Sequence, residues 1–125
     1  MQITAEHSSP HTPLVAGLYA AVDAMNASDV VSYLTEDVTF RLGNFDPING
    51  RGPVEHANES FFQTIAAMRH TITAIWSSGS TVFCDGTVHY TRKDSSEHEV
   101  PFATRLGLQE GKVADYVVYV DISGL

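Results

Sequence analysis

Residues 35–53 read TEDVTFRLGNFDPINGRGP, and their order decides the fold. Thr35-Glu36-Asp37 has the acidic, polar character of a helix end. Val38, Phe40 and Leu42 then alternate with Thr39 and Arg41, the two-residue period of a strand with one buried face. Asn44, Asp46-Pro47 and Asn49-Gly50 break the strand, because proline removes a backbone donor and Asn-Gly favours a turn. Gly52-Pro53 opens a further helix.

Working outward, residues 1–12 carry one proline, two serines and little apolar content, so they read as a mobile tail before one domain at 13–125. Leu14, Leu18, Ala21, Val22 and Met25 recur at helical spacing behind Pro13, with Thr12 as the cap and Tyr19 on the edge of the stripe. Asp29–Leu34 forms a short second helix capped by Ser28. The third carries Val54, Phe61, Phe62, Ile65 and Met68 on its buried side. Strand chemistry then fills 70–77, 81–92, 100–108 and 112–122, separated by Ser78-Gly79, Asp94-Ser95-Ser96 and Gln109-Glu110-Gly111. Helices grouped before a hairpin-connected sheet imply an α+β domain with the helices on one face.

Composition excludes several classes. The net charge is −8 and the seven basic residues are scattered, so no clustered surface offers itself to a nucleic-acid backbone. No apolar run reaches membrane-span length, and the first residues lack the basic start and apolar core of a secretory signal. Cys84 is the single cysteine, which fits a reducing, cytoplasmic location. No metal set stands out, since His7 and His11 lie in a proline-flanked segment and the other histidines lack partners at ligand spacing. Gly50-Arg51-Gly52-Pro53 puts proline where a phosphate loop needs an amide, so no cofactor is implied.

The ordered combination of Thr35-Glu36-Asp37-Val38-Thr39-Phe40, Asn49-Gly50-Arg51, Glu110-Gly111-Lys112-Val113 and Tyr119-Val120-Asp121 resembles the nuclear-transport-factor-2-like superfamily. That group holds the SnoaL-like polyketide cyclases, ketosteroid isomerase and limonene epoxide hydrolase. The resemblance implies a cystatin-like, cone-shaped mixed sheet, a four-strand antiparallel meander plus an N-terminal strand, wrapped around three helices. It also implies an apolar pocket for a hydrophobic small molecule, lined by Phe40, Leu42, Phe61, Ile65, Met68, Phe102, Thr104, Val118 and Val120. A homodimer through the outer sheet face is expected too, covering Phe83, Val117 and Tyr119.

The catalytic sets of the two characterised enzymes do not carry over. Leu42 stands where the isomerase has its base aspartate, Thr104 near its second aspartate, and Leu18, beside Tyr19, at its oxyanion tyrosine. Val118 replaces the last-strand aspartate of the hydrolase. Its Arg-x-Asp pair aligns loosely near Asp85 and Thr87, and its water-binding asparagine matches Asn44. Asp85 and His89 share the parity opposite to Val82, Cys84, Val88 and Tyr90, and read as facing outward.

By elimination, no aspartate or glutamate combines inward parity with depth in the cone, Asp85 aside. His70 is therefore the expected ionisable group, serving as base or acid, or else a core histidine bonded to a carbonyl. Tyr19 and Tyr116 either donate to a substrate oxygen or pack with their hydroxyls satisfied locally. Asn44 either holds a water or carbonyl or simply serves the turn after Gly43. Three functions remain open: a cofactor-independent isomerase or cyclase acting by proton transfer, a binding or docking module without chemistry, and a variant epoxide hydrolase.

Overall fold

The computed structural model describes residues 1–4 and 9–125. Among these, three helices precede or interrupt seven strands: β1 (Gln2–Ile3), α1 (Thr12–Asp23), α2 (Ala27–Val31), β2 (Leu34–Leu42), β3 (Ile48–Asn49), α3 (Arg51–Phe62), β4 (Ala67–Ser78), β5 (Thr81–Thr91), β6 (Glu97–Gln109) and β7 (Lys112–Val120). The strands form one mixed sheet in the order β1-β4-β5-β6-β7-β2-β3. β4 to β7 are the expected antiparallel meander, and β2 joins it parallel to β7, with Phe40 beside Tyr116 and Leu42 beside Val118. The fold is α+β, and the helices pack on each other and against β2 and β4.

Several boundaries differ from the sequence reading, each for a local reason. The second helix starts earlier because Asn26, not Ser28, caps it, its side chain accepting from the Asp29 N–H at 3.1 Å. The helix accordingly stops at Val31, and Leu34 opens a strand paired to Val113 instead of closing a helix. A register shift between Leu34 and Thr39 absorbs the polar Thr35-Glu36-Asp37 segment. The first helix has His11 at its cap position with no side-chain bond, while Thr12 accepts from the Ser9 N–H. The third helix begins at Arg51 behind Gly50, whose φ of 96° suits glycine. It ends at Phe62, so Met68 belongs to β4 and not to a helical stripe.

Within the segment read as a tail, Gln2–Ile3 lies parallel to β4 opposite Thr71 and Ile72. Residues 5–8, His7 included, lie outside the described residues.

Tyr19, Leu18, Leu34, Ile72, Ile75 and Leu106 are the largest fully buried side chains, and they fill the space between helices and sheet. Two polar side chains, His70 and Thr104, are buried in this apolar interior, at 4% and 1% exposure. Buried polar groups need partners, so the question is what holds these two.

Candidate functional site

The helices and the concave sheet face enclose a cavity of about 250 Å³. Its walls are mostly apolar: Phe40 and Leu42 from β2, Phe61 and Phe62 from α3, Met68 from β4, and Val118 from β7. Tyr19, Tyr90, Tyr116 and His70 bring polar atoms to it.

Asp23, the last residue of α1, grips His70 twice. Its Oδ2 accepts from the His70 backbone N–H at 2.9 Å, and its Oδ1 lies 2.6 Å from His70 Nδ1. The side chains are only 9% and 6% exposed, and the Met1 amino group stands 3.2 Å from Oδ2. A carboxylate can only accept, so a neutral imidazole in this contact carries its proton on Nδ1 and keeps the Nε2 lone pair. Nε2 has no hydrogen bond among the described residues, and His70 lines the cavity. The ring is held between Tyr19, with centroids 4.6 Å apart, and Phe102, edge-on at 4.9 Å. His70 thus neither opens to bulk water nor bonds a backbone carbonyl through its ring.

A second polar chain runs beside the first. The Tyr19 hydroxyl bonds the Thr104 hydroxyl, and Tyr116 and Cys84 are buried beside them. Burial pushes the Tyr19 and Tyr116 hydroxyls well above the ordinary phenol range. Burial, with the Asp23 charge added, raises Tyr90 to about 12. Burial likewise lifts the Cys84 thiol to about 12, against the opposing Thr104 bond. All four therefore stay protonated at neutral pH, and the tyrosines serve as donors.

The stability consequence has a definite sign. These groups are raised acids, so the folded chain holds protons that the unfolded chain releases near pH 9 for Cys84 and pH 10 for the tyrosines. Their contribution is fully present below pH 9 and is lost as pH climbs toward 12. The melting temperature should fall steadily over that window, and in Cys84→Ser the fall should begin nearer pH 10 than pH 9.

Of the residues expected at the site, His70, Tyr19, Tyr116, Phe40, Leu42, Phe61, Met68 and Val118 come together around the cavity. Ile65, Phe102, Thr104 and Val120 do not line it: the first three are buried behind the wall, and Val120 is half-buried beside an outer groove. Asn44 does not line it either. It is exposed on that same outer groove, just after Gly43 (φ 54°), where a Cβ would come within 2.8 Å of the Val120 carbonyl oxygen. Asp85 and His89 face outward, Asp85 near the Thr73 hydroxyl and His89 against Glu97 at 3.1 Å.

Asp23 is the missed residue: the elimination weighed carboxylates within the cone, whereas Asp23 reaches His70 from the end of α1 without lining the cavity. Its signals were present: it follows Tyr19 by four residues, hence the same helical face, and it places a negative charge at a helix C-terminus against the macrodipole. Phe45, Asp46 and Ile122 were also missed, since loop segments show no period, and Ile48 lies in a two-residue strand too short to show one.

The SnoaL-like domain model matches residues 15–116. No curated protein sequence matches the chain. Solved structures share the fold at low identity. A Catenulispora acidiphila DSM 44928 protein with a ketosteroid isomerase-like fold, in complex with trimethylamine, is 19% identical with a TM-score of 0.83, covering 93% of this chain and 89% of its own. A Shewanella putrefaciens CN-32 protein described as a SnoaL-like polyketide cyclase is 16% identical with a TM-score of 0.78, covering 92% of each chain. An M. tuberculosis LEH-like epoxide hydrolase is 14% identical with a TM-score of 0.76, covering 88% of this chain and 81% of its own. With most of its length matched by that domain model, and with this sheet and helix arrangement, the chain belongs to the SnoaL-like domain family.

Proposed function

We propose that this protein is a cofactor-independent isomerase or cyclase that moves a proton on a neutral, hydrophobic carbonyl compound. The observation that carries the reading is the Asp23–His70 pair, set at the wall of an apolar cavity with Nε2 uncommitted. Nε2 takes a proton from the carbon next to the carbonyl, and the electron pair moves onto the carbonyl oxygen as an enolate. The imidazolium so formed is stabilised by the Asp23 carboxylate at 2.6 Å. The Tyr116 O–H, on the cavity wall near the Tyr19–Thr104 hydrogen bond, donates to the enolate oxygen. Return of the proton to a different carbon gives isomerisation. Attack of the enolate carbon on a second carbonyl of the same molecule gives ring closure.

The charges favour neutral substrates. No lysine or arginine lines the cavity among the described residues, and Asp46 sits at its wall. Its volume of about 250 Å³ is below the usual range for drug-sized ligands, roughly 300–1,000 Å³, which suits a compound of one or two rings.

2-Tetralone in D2O is a direct probe. Loss of its α-proton NMR signals should be faster with protein than in matched buffer, and lost in His70→Gln. Saturable binding with no acceleration would make the protein a binding module and sink the enzymatic reading.

The cytoplasm is the proposed location, in keeping with Cys84 as a buried free thiol. A homodimer is proposed through the outer sheet face. Phe83 and Tyr119 are 41% and 55% exposed there, and pairing sets Phe83 beside Arg105, Arg105 beside Val117 and Ala103 beside Tyr119. Tyr119→Arg should shift the mass by light scattering from dimer to monomer at micromolar concentration. A monomeric unmodified protein would contradict the assembly.

A further inference from the structure

We infer that residues 121–125 form a strap that walls one side of the cavity, that Ile122 on this strap sets what the cavity admits, and that Arg92 holds it shut. Ile122 lies beyond the last strand, whose final pairing is Phe102 with Val120, yet it lines the cavity. The strap turns its apolar residues inward: Ile122 and Leu125 are half-buried against the core, while Asp121, Ser123 and Gly124 are exposed. Its shape is fixed by two local bonds. The Ser123 N–H donates to Asp121 Oδ1 at 2.9 Å, and the Leu125 N–H to the Ile122 carbonyl at 3.0 Å.

No sheet ladder ties this turn down, so its attachment falls to side chains of the β5–β6 hairpin. Arg92 Nη2 donates to the Gly124 carbonyl at 2.8 Å. The other arm of the guanidinium, Nη1, donates to Ser96 Oγ and the Glu97 carbonyl, each at 3.2 Å, which fixes the fork on its own hairpin. Gly124 sits close against the His98 ring, where a Cβ would come within 3.0 Å of Cε1 and 3.2 Å of Nε2. His98 Nε2 makes no hydrogen bond among the described residues, so the ring serves as a packing surface. The strap is therefore seated on His98 and latched by Arg92, and its release would cost no strand pairing while opening the cavity.

This rests on the cavity and not on the proton-transfer reading, so the test reads binding alone. The probe is 6-propionyl-2-(dimethylamino)naphthalene, a neutral two-ring fluorophore that brightens in apolar sites. Ile122→Ala and Arg92→Ala should each weaken its binding on the order of 10-fold, the first by removing contact area and the second by freeing the strap. Because Arg92 acts through Ile122, the double variant should bind about as weakly as Ile122→Ala alone. Ser96→Ala, which removes a hairpin contact but leaves the Gly124 bond, should bind as the unmodified protein does. Hydrogen exchange at the Leu125 amide should quicken at least about 10-fold in Arg92→Ala while β7 amides hold their rates. An unchanged probe affinity or unchanged Leu125 exchange in Arg92→Ala, additive losses in the double variant, or no uptake of the probe by the unmodified protein would each overturn the proposal.

Discussion

His70→Gln is expected to reduce protein-catalysed α-proton exchange of 2-tetralone on the order of 100-fold or more, the usual cost of removing a general base. The glutamine side chain has similar reach but no basic nitrogen, so probe binding should survive while the proton step fails. Asp23→Asn should act on the same step by a different route. It keeps an oxygen within reach of Nδ1 but removes the charge that stabilises the imidazolium, so a drop of about 10-fold or more is expected. Both drops should appear with folding intact, judged by near-UV dichroism. A His70→Gln protein that is folded, binds the ketone and exchanges it at the original rate would show that some other group is the base.

The largest effect on stability should come from Gly86→Ala. Gly86 pairs with Ile72 beside the register shift in β4, where the extra residue Thr73 bends the strand. A Cβ at Gly86 would lie 1.8 Å from the Thr71 carbonyl oxygen and 2.9 Å from its carbon, so backbone itself must move. The expected cost is about 3 kcal/mol or more, a melting-temperature drop on the order of 10 °C for a chain of this size. Gly52→Ala is the matching control. It sits in the first turn of α3 with nothing beyond its chain neighbours within 4 Å of where a Cβ would stand, and alanine there should be close to neutral, its helix preference offset by the following Pro53. Equal melting temperatures for the two variants would contradict the close approach at Gly86.

The fold was legible because its signals are local and repeated. Alternation in Val38-Thr39-Phe40-Arg41-Leu42 marked β2, and Gly79 and Gly111 marked two hairpins, both with the positive φ such turns require. Boundaries failed where side chains compete for backbone groups. Asn26 displaced Ser28 as a cap, and the Leu34–Val113 pairing drew Leu34 out of a helix. The site was half legible. Strand parity placed Tyr116, Phe40 and Val118 on the inner face, since alternation along a strand fixes sides, and elimination singled out His70. Asp23 meets His70 across a separation of 47 residues, and only the packing of α1 on β4 creates that pair. Ile122 and Phe45 sit in turns, where no period tells inside from outside. Asn44 shows the converse, a sequence match to an enzyme residue that the glycine before it turns away from the cavity.

On the proposed mechanism Asp23 accepts a hydrogen bond from the Nδ1 proton of His70 and leaves Nε2 as the base for the substrate. Long-range proton–nitrogen NMR of the His70 ring tests it directly, with and without 2-tetralone. The expected result is a protonated, pyrrole-like Nδ1, a pyridine-like Nε2, and a shift on ligand addition concentrated at Nε2. A proton found on Nε2 with Nδ1 unprotonated, or an Nε2 signal indifferent to a ligand that binds, would contradict it.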